Sequence, residues 1–407
     1  MSNFSDYIGR IGALAVALGF GVGMAAAPWT ATAQPADPVA DRIAAAKEAA
    51  AKRFNVSVSV NGQTVVQIGN AHAESSAGSR AIARGDNAAA SATFGTRNVA
   101  VAVGNNSTAE AVEGNNNRVV VHGDDNLGVA MFGDNNRTII RGNANQAGIT
   151  SGDNNSITVI GDENLAEAGI GNNNKVTIYG TSSAAGAGQG DNNTATATGS
   201  DALALAQGSH STATAADSST AEVAGSNSSA TATGIFDYAY VIGDNSNATA
   251  DGFANQAIVR GDDSSAKADG YGNVADVTGD ESAASASGTG SQAIVTGDES
   301  GANAEGSFSV ATIDGDHGLA IAEGDNNSAT VTGDNSAAVA AEGNNNVASV
   351  VGDGSGAGAF YGNNNTATVN GNNSQAIAAE GDHNVATVNG DGLFANATGG
   401  GAVVTQP

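Results

Sequence analysis

The sequence predicts an all-β protein: a parallel β-solenoid, or β-roll, of about 17 two-strand coils with 18–19 residues in each coil. Two observations predict this fold. Glycine followed by Asn, Asp or Ser returns every nine or ten residues, and small apolar residues alternate with polar residues between these groups. The chain has 57 glycines, which also suggests disorder, but 40% of its residues are hydrophobic and only four are proline, so an ordered core is favoured.

The repeat keeps its phase from Gly85 to Gly399. Its steps alternate between ten and nine residues up to Gly199, stay at nine from Gly225 to Gly333, and then alternate again. In each unit glycine permits a tight turn, the next polar residues favour turns, and the last five residues alternate like a strand. Two such units therefore form one coil.

The repeat units are of two kinds, which supports pairing them into coils. One kind has larger residues at the two inward positions and the other has small residues there. Examples of the larger kind are Val119 with Val121 and Ile157 with Val159, and examples of the small kind are Ala109 with Ala111 and Ala166 with Ala168. A small wall that faces a larger wall fills a thin core without voids, so we expect two sheets that pack directly on each other.

Residues 1–33 have the pattern of a signal peptide. Arg10 precedes an apolar run over 11–24, and Ala31-Thr-Ala33 offers small residues at a cleavage site. An uncleaved membrane anchor is the alternative, although the run is short and interrupted by glycine. We expect no transmembrane span in the mature chain.

Residues 34–84 are predicted to form an N-terminal cap, because repeat proteins need atypical ends to close their cores. Apolar residues recur at helical spacing over 37–54, which predicts a helix. Two alternating segments then flank Asn61-Gly62, which predicts a β-hairpin over 55–68.

The phase of the repeat is disturbed once. Between Gly208 and Gly225 the steps are nine and eight residues, and Asp217 stands where glycine is expected. The larger inward residues also change from one strand class to the other across this stretch, so we expect a seam or bend near 200–240; harmless drift is the alternative. The predicted divisions are a first solenoid block over 85–216, a second over 217–399 and a flexible tail over 400–407.

The formal net charge is −27 and the chain has no cysteine. The negative charge argues against nucleic acid as a partner, because nucleic-acid binding relies on Lys and Arg. The missing cysteines exclude disulfides, zinc-thiolate sites and cysteine nucleophiles.

Acidic residues recur at the second position of every other unit, 18 residues apart, and would stack about 4.8 Å apart on one coil edge. They are Asp244, Asp262, Asp280, Asp298, Asp316 and Asp334. Further acids mark unit ends near the opposite edge: Asp251, Asp269, Glu305, Glu323, Glu342 and Glu380. Stacked carboxylates repel unless they are solvated, protonated or bridged, so this ladder is either a weak calcium site or a solvated edge that keeps the protein soluble.

Basic residues concentrate in the first half of the array. Arg118, Arg137 and Lys175 share one strand position in a 19-residue register, with Ser156 between them. Such a strip could contact the acidic half of another molecule head to tail, or it could be scattered surface charge.

Short motifs such as Ser291-Gln-Ala-Ile-Val-Thr-Gly297 and Ser309-Val-Ala-Thr-Ile-Asp-Gly315 resemble the Ser-x-Ala-x-Gly head repeats of trimeric autotransporter adhesins. The resemblance implies a parallel β-roll with an adhesive role. It covers the array only: the units of those heads are shorter, and no coiled-coil stalk or C-terminal membrane barrel follows here. The units also have the length of calcium β-roll nonapeptides, but alanine replaces the aspartate ligand of that motif nearly everywhere.

The expected function is that of a secreted or surface-associated bacterial repeat protein with a structural or adhesive role, whose partner is a cell-surface or matrix ligand. The alternatives are a calcium-binding extracellular β-roll, an ice-binding protein and a polysaccharide-acting β-helix enzyme. An enzyme is disfavoured because the five histidines share no register and no catalytic motif is present. No cofactor is expected apart from possible Ca²⁺, and oligomerisation is left open.

Overall fold

A computed structural model describes residues 55–407, and in this range the chain is all-β, with 39 strands and no helix. The predicted signal peptide over 1–33 and the predicted helix over 37–54 lie outside the described residues. No helix in the described range is long and apolar enough to cross a membrane.

The strands are short and follow one another at the repeat spacing. They are β1 (Val56–Val60), β2 (Gln63–Ile68), β3 (His72–Ser75), β4 (Arg80–Arg84), β5 (Ala89–Thr93), β6 (Val99–Val103), β7 (Thr108–Val112), β8 (Arg118–His122), β9 (Leu127–Ala130), β10 (Arg137–Arg141), β11 (Gln146–Ser151), β12 (Ser156–Ile160), β13 (Leu165–Ile170), β14 (Lys175–Thr181), β15 (Ala184–Ala187), β16 (Thr194–Ser200), β17 (Leu203–Gln207), β18 (Thr212–Ala216), β19 (Thr220–Ala224), β20 (Ser229–Ile235), β21 (Tyr238–Ile242), β22 (Asn247–Phe253), β23 (Gln256–Arg260), β24 (Ser265–Tyr271), β25 (Val274–Thr278), β26 (Ala283–Thr289), β27 (Gln292–Thr296), β28 (Gly301–Ser307), β29 (Val310–Asp314), β30 (Leu319–Glu323), β31 (Ser328–Thr332), β32 (Ala337–Ala340), β33 (Val347–Val351), β34 (Gly356–Phe360), β35 (Thr366–Asn370), β36 (Gln375–Ala379), β37 (Val385–Asn389), β38 (Phe394–Thr398) and β39 (Val403–Gln406).

The strands form two sheets. Sheet A contains β1 and the even-numbered strands, and sheet B contains the odd-numbered strands from β3 to β39. From β3 onward each strand pairs in parallel with the strand one coil away, as Arg137 pairs with Ser156 in the first half and Asn247 with Ser265 in the second. Strand β1 instead pairs antiparallel with β2 and β4. The predicted parallel solenoid with coils of 18–19 residues is confirmed. It has about 19 coils, which at the usual strand spacing gives a length of about 90 Å along its axis.

The two ends of the array differ from the prediction. The hairpin is confirmed: β1 and β2 are antiparallel, and Asn61 and Gly62 at its turn have φ of 54° and 78°. However, β3 and β4 already form a solenoid coil, because β3 pairs in parallel with β5 and β4 with β6. At the other end, the tail predicted to be flexible forms β39, whose alternating residues pair in parallel with β37.

The core is a thin layer of small side chains between the sheets. In β8 to β14 the larger buried residues belong mainly to sheet A, with Ile149 of sheet B as an exception. From Val223 onward they belong to sheet B, in residues such as Val241, Val259 and Ile313. The predicted change of wall is thus present. Between Ala185 and Ala215 every buried apolar residue is alanine.

Buried Asn and Ser side chains at the corners join each coil to the next. The side chain of Asn117 accepts the main-chain N–H of Asn136 on Oδ1 at 2.9 Å, and its Nδ2 donates to the carbonyl of Gly133 at 2.7 Å. These bonds satisfy polar groups that the turns would otherwise leave buried and unpaired. The stacks therefore compensate for a core that buries little apolar area in each coil.

The phase disturbance is absorbed inside one turn. The pairing of β16 with β18 and of β18 with β20 is uninterrupted, although Thr212 and Ser229 are only 17 residues apart. Asp217 has φ of 39°, and a Cβ on Gly199 would lie 1.8 Å from its Oδ1, where other corner glycines meet a glycine carbonyl oxygen. The Asp217 carboxylate oxygen thus lies where a glycine carbonyl oxygen lies in the other coils. The two sheets therefore continue without a break through the predicted seam.

Candidate functional site

The most unusual surface feature is a group of aromatic side chains next to the seam, which we name the aromatic cluster. It consists of Phe236, Tyr238, Tyr240, Phe253 and Tyr271. It lies at the edge where the chain passes from sheet A to sheet B, called here the AB edge, and extends onto the outer face of sheet B. The other edge, where the chain returns from sheet B to sheet A, is called the BA edge.

The register of the coils brings the edge rings together. Strands β20, β22 and β24 are seven residues long, and their last residues Ile235, Phe253 and Tyr271 pair in sequence across three coils. The rings of Phe253 and Tyr271 stack with centroids 5.0 Å apart and planes 5° apart. Phe236 meets Phe253 edge to face at 5.9 Å. Both geometries are favourable for aromatic pairs.

Two tyrosines continue the cluster on the outer face of sheet B. Tyr238 and Tyr240 are alternate residues of β21 and their rings lie 6.0 Å apart, with planes 16° apart. Burial, and then the neighbouring Glu222 carboxylate, raises the pKa of Tyr238 to about 12, and the same causes raise the pKa of Tyr240. Both phenols therefore keep their protons at neutral pH and can donate hydrogen bonds.

Polar groups surround these rings. Asp251 and Asp269, each two residues before an edge ring, pair with each other across β22 and β24. The hydroxyl of Thr233 donates to Asp251 at 2.8 Å. On sheet B, Arg260 forms an ion pair with Asp276 at 2.9 Å. The cluster thus offers flat apolar rings beside carboxylates, a guanidinium and phenolic hydroxyl groups.

The edge rings interrupt a ladder that stabilises the same edge elsewhere. At the equivalent position in the first coils, an Asn or Asp side chain accepts the main-chain N–H of the preceding coil, as Asn105 does from Asp86 at 2.9 Å and Asp124 from Asn105 at 2.7 Å. The ladder resumes at Asp325, which accepts from Ser307. Phe236 is 63% exposed and Tyr271 is 58% exposed. Exposed rings that replace a stacking interaction are typical of a binding surface rather than of the scaffold.

The six aspartates of the predicted acidic ladder lie on the BA edge and stack in one column. Asp262 Oδ1 accepts the main-chain N–H of Asp244 at 2.7 Å, and Asp280 Oδ1 accepts that of Asp262 at 2.8 Å. The same bond recurs onto Asp298, Asp316 and Asp334. One carboxylate oxygen in each coil therefore has a structural role. No group of three or more acidic or histidine side chains within residues 55–407 is arranged to hold a metal ion, and calcium binding stays a prediction.

The basic strip also forms in the structure. Arg118, Arg137, Ser156 and Lys175 pair in order across β8, β10, β12 and β14, on the outer face of sheet A. The acids Asp251, Asp269, Glu305 and Glu323 follow on the same sheet further along the chain. The basic residues and the acidic residues therefore lie on the same surface, the outer face of sheet A, but in different coils.

The sequence analysis assigned no binding role to the aromatic residues of the segment over 234–242. The signal was available in the 18-residue spacing of Ile235, Phe253 and Tyr271. No protein-family model matches the chain, and no curated protein matches it significantly.

Proposed function

We propose that this chain is a secreted or surface-associated bacterial repeat protein with a structural and adhesive role, and that the aromatic cluster is its adhesive contact. The observation that carries the proposal is the exposed stack of Phe253 and Tyr271 beside Asp251 and Asp269. The proposed ligand is a carbohydrate surface, such as a polysaccharide of a cell wall or matrix.

The chemistry of the cluster suits a sugar. The C–H face of a pyranose ring packs on an aromatic ring, while its hydroxyl groups donate to carboxylates and accept from phenols and guanidinium groups. The rings of Phe253 and Tyr271 are held on paired strands, so little conformational entropy is lost when a ligand is bound. The resemblance to autotransporter head repeats supports the same adhesive role.

The proposal predicts that the variant carrying both Phe253→Ala and Tyr271→Ala binds insoluble polysaccharide about tenfold more weakly, because stacking on both rings is lost. Binding of the purified chain to chitin, cellulose and peptidoglycan is measured by co-sedimentation. Phe394→Ala is the matched control, since Phe394 is 53% exposed on β38, far from the cluster. Equal binding by the double variant and the native chain would contradict the proposal.

A calcium-binding role is the second candidate, and the acidic ladder supports it. In the same column Asn372 accepts the N–H of Asp353 at 2.8 Å, so asparagine can supply the stacking bond without a charge. The carboxylates are therefore not required for stacking, and their charge serves either solubility or a cation. A thermal midpoint that rises with calcium and falls with EDTA would favour calcium, and an unchanged midpoint would favour solubility.

Ice binding and polysaccharide cleavage have weaker support. The outward residues over 328–389 include Val347, Val351 and Asn370 among the threonines, so the hydroxyl array is irregular. Cleavage of a polysaccharide usually needs a pair of carboxylates on either side of a bound sugar. Asp251 and Asp269 lie on the same side of the rings, which is why we favour binding over catalysis.

A further inference from the structure

The outer face of sheet A carries opposite charges at its two ends, within one column of residues. The fifth residue of each strand in sheet A forms this column. Parallel pairing connects the column from β4 to β18 and from β20 to β30, whereas between β18 and β20 the pairing ends one residue earlier, at Ala215 and Ala232. Its cationic end contains Arg84 and Arg141, with His122 between them, and its acidic end contains Asp251, Asp269, Glu305 and Glu323.

Within the part of the chain that the structure describes, the cationic end has no acidic partner. Arg84, His122 and Arg141 are exposed, and none forms an ion pair among residues 55–407. The outward residues from β4 to β14 also include Arg80, Arg118, Arg137 and Lys175, and none of them is acidic. Such a concentration of positive charge on a chain of net charge −27 indicates a surface that an acidic partner covers.

We propose that a second copy of this chain packs on the outer face of sheet A, with the two solenoids antiparallel. The two-fold axis runs along the strand direction and passes through β16. With this axis, the fifth column of one copy faces the fifth column of the other in reverse order. Arg84 then faces Glu305, His122 faces Asp269, and Arg141 faces Asp251, and each pair occurs twice because the interface is isologous.

The residues between the two charged ends permit close approach. Strand β16 carries Thr194, Thr196 and Thr198 outward, and β18 carries Thr212 and Thr214. These side chains are short and uncharged, whereas Tyr179 of the neighbouring β14 is 50% exposed and would face Ala216 of the partner. The first residues of the strands in sheet A form a second column. There the same symmetry places Lys175 opposite Thr212, Arg137 opposite Asn247 and Arg118 opposite Ser265, so no like charges meet in this column.

The opposite arrangement is disfavoured by the same charges. If the two solenoids were parallel, each coil would face the equivalent coil of the partner, and Arg84 and Arg141 would lie against the partner's cationic end. Like charges in contact lower affinity and reject the wrong orientation. The antiparallel orientation thus follows from the distribution of charge along the face. It uses the carboxylates of Asp251 and Asp269, which the proposed carbohydrate ligand would also contact.

The test uses two charge-reversal variants of the full chain, R84E/R141E and D251R/E305R, studied by sedimentation velocity over increasing protein concentration. We expect the native chain to dimerise, and each variant alone to dimerise at least tenfold more weakly. An equimolar mixture should dimerise again, because each reversed end then faces an opposite charge in the other variant. Raising the salt from 0.1 M to 1 M should weaken the native dimer.

Several results would overturn the proposal: a native chain that stays monomeric, a trimer, a dimer that both variants retain, or a mixture that stays dissociated. Cross-linking tests the register separately. The chain has no cysteine, so Thr196→Cys introduces a single thiol at the two-fold axis. A short bis-maleimide should link two copies of that variant, whereas Leu205→Cys, on the outer face of sheet B, should not be linked.

Discussion

At the scale of the residue, Asp237 shows how one carboxyl group can weaken a stack of neutral side chains. Among the described residues it is the only acidic side chain in the buried corner stacks. Its Oδ1 accepts the main-chain N–H of Asn255 at 2.8 Å, but its buried Oδ2 has no hydrogen-bond partner. In the next coil Nδ2 of Asn255 donates from the equivalent position to the carbonyl of Gly270 at 2.9 Å. Burial raises the pKa of Asp237, because desolvation disfavours the charged carboxylate. A protonated carboxyl can also donate as the amide does.

A pH dependence of stability follows. Because the pKa of Asp237 is raised in the folded state, its contribution is fully present below the unfolded-state pKa near 3.8 and is lost as pH rises through the folded-state pKa. We therefore expect Asp237→Asn to stabilise the chain by about 1–2 kcal/mol at pH 7, and the gain to shrink toward pH 3.5. Thermal melts at the two pH values measure this difference.

The converse substitution is the control for Asp237. Asn346 occupies the same corner stack and donates through Nδ2 to the carbonyl of Gly362 at 2.9 Å. Asn346→Asp should destabilise the chain at pH 7 and recover part of the loss at low pH. If Asp237→Asn melted at the native temperature at pH 7, the unpartnered Oδ2 would have no energetic importance.

At the scale of the element, most corner glycines are required by the coil that stacks on them. Gly243 has φ of 144°, and a Cβ there would lie 2.0 Å from the carbonyl oxygen of Gly261 in the next coil. Gly272 also has a positive φ, of 66°, but no atom lies within 4 Å of its Cβ position. Ala254 holds the equivalent place one coil earlier with φ of 56°, so alanine is tolerated there.

Two alanine substitutions separate the effect of contact with the next coil from the effect of a positive φ. We expect Gly243→Ala to lower the free energy of unfolding by several kcal/mol, because the backbone of two coils must move apart, and Gly272→Ala to lower it by about 1 kcal/mol. Chemical denaturation of the two variants, followed by circular dichroism, gives the comparison. Similar losses would mean that backbone conformation, rather than contact between coils, explains the glycine.

The positions of the strands were the part of the fold most readily predicted from the sequence. The strands, their pairing distance and the hairpin at Asn61-Gly62 follow from local patterns that every coil repeats. The start of the solenoid at β3 was missed because residues 72–84 pair like a coil before the spacing of glycine becomes regular. Strand β39 was missed because three glycines precede it and suggested a flexible tail.

The candidate site was less predictable for a different reason. The acidic ladder was found from its spacing, but a sequence does not show that Oδ1 of Asp262 is already bonded to the N–H of Asp244. The aromatic cluster combines residues from separate coils, and its ring contacts depend on the outward direction of side chains at the end of β22 and β24. The side-chain contacts between neighbouring coils were therefore the features that the sequence pattern did not predict.

At the scale of the whole molecule, stability is distributed unevenly along the solenoid. From Ala71 to Ala111, and again from Ala185 to Ala215, both walls of the core are alanine, whereas Ile and Val occupy part of one wall in the coils over 119–178 and 223–388. Alanine buries the least apolar area, and in a repeat protein each coil is stabilised mainly by itself and its neighbours. The aromatic cluster, which begins at Phe236, follows the alanine segment over 185–215 along the chain.

We expect the alanine segment over 185–215 to open before the coils on either side of it, whose cores contain Ile and Val. Native-state hydrogen exchange followed by mass spectrometry should show faster exchange in β15 to β18 than in β8 to β14 or β21 to β37. A variant with Ala204→Val and Ala213→Val tests the cause, because added volume that the thin core accepts should slow exchange in this segment. Uniform exchange along the solenoid would show that the backbone ladders, rather than the core, determine local opening.

The alternation of nine- and ten-residue units shows that a coil edge accepts an additional residue. In many ten-residue units the additional residue takes a left-handed conformation and projects from the edge, as Phe94, Glu113 and Tyr361 do with φ of 53°, 55° and 54°. The strands on either side of it pair as they do in the shorter units, as in the pairing of β5 with β7. An insertion at this point therefore leaves the core and the register intact. Each coil edge is a position where single residues, or longer loops, can be gained or lost independently of the rest of the protein.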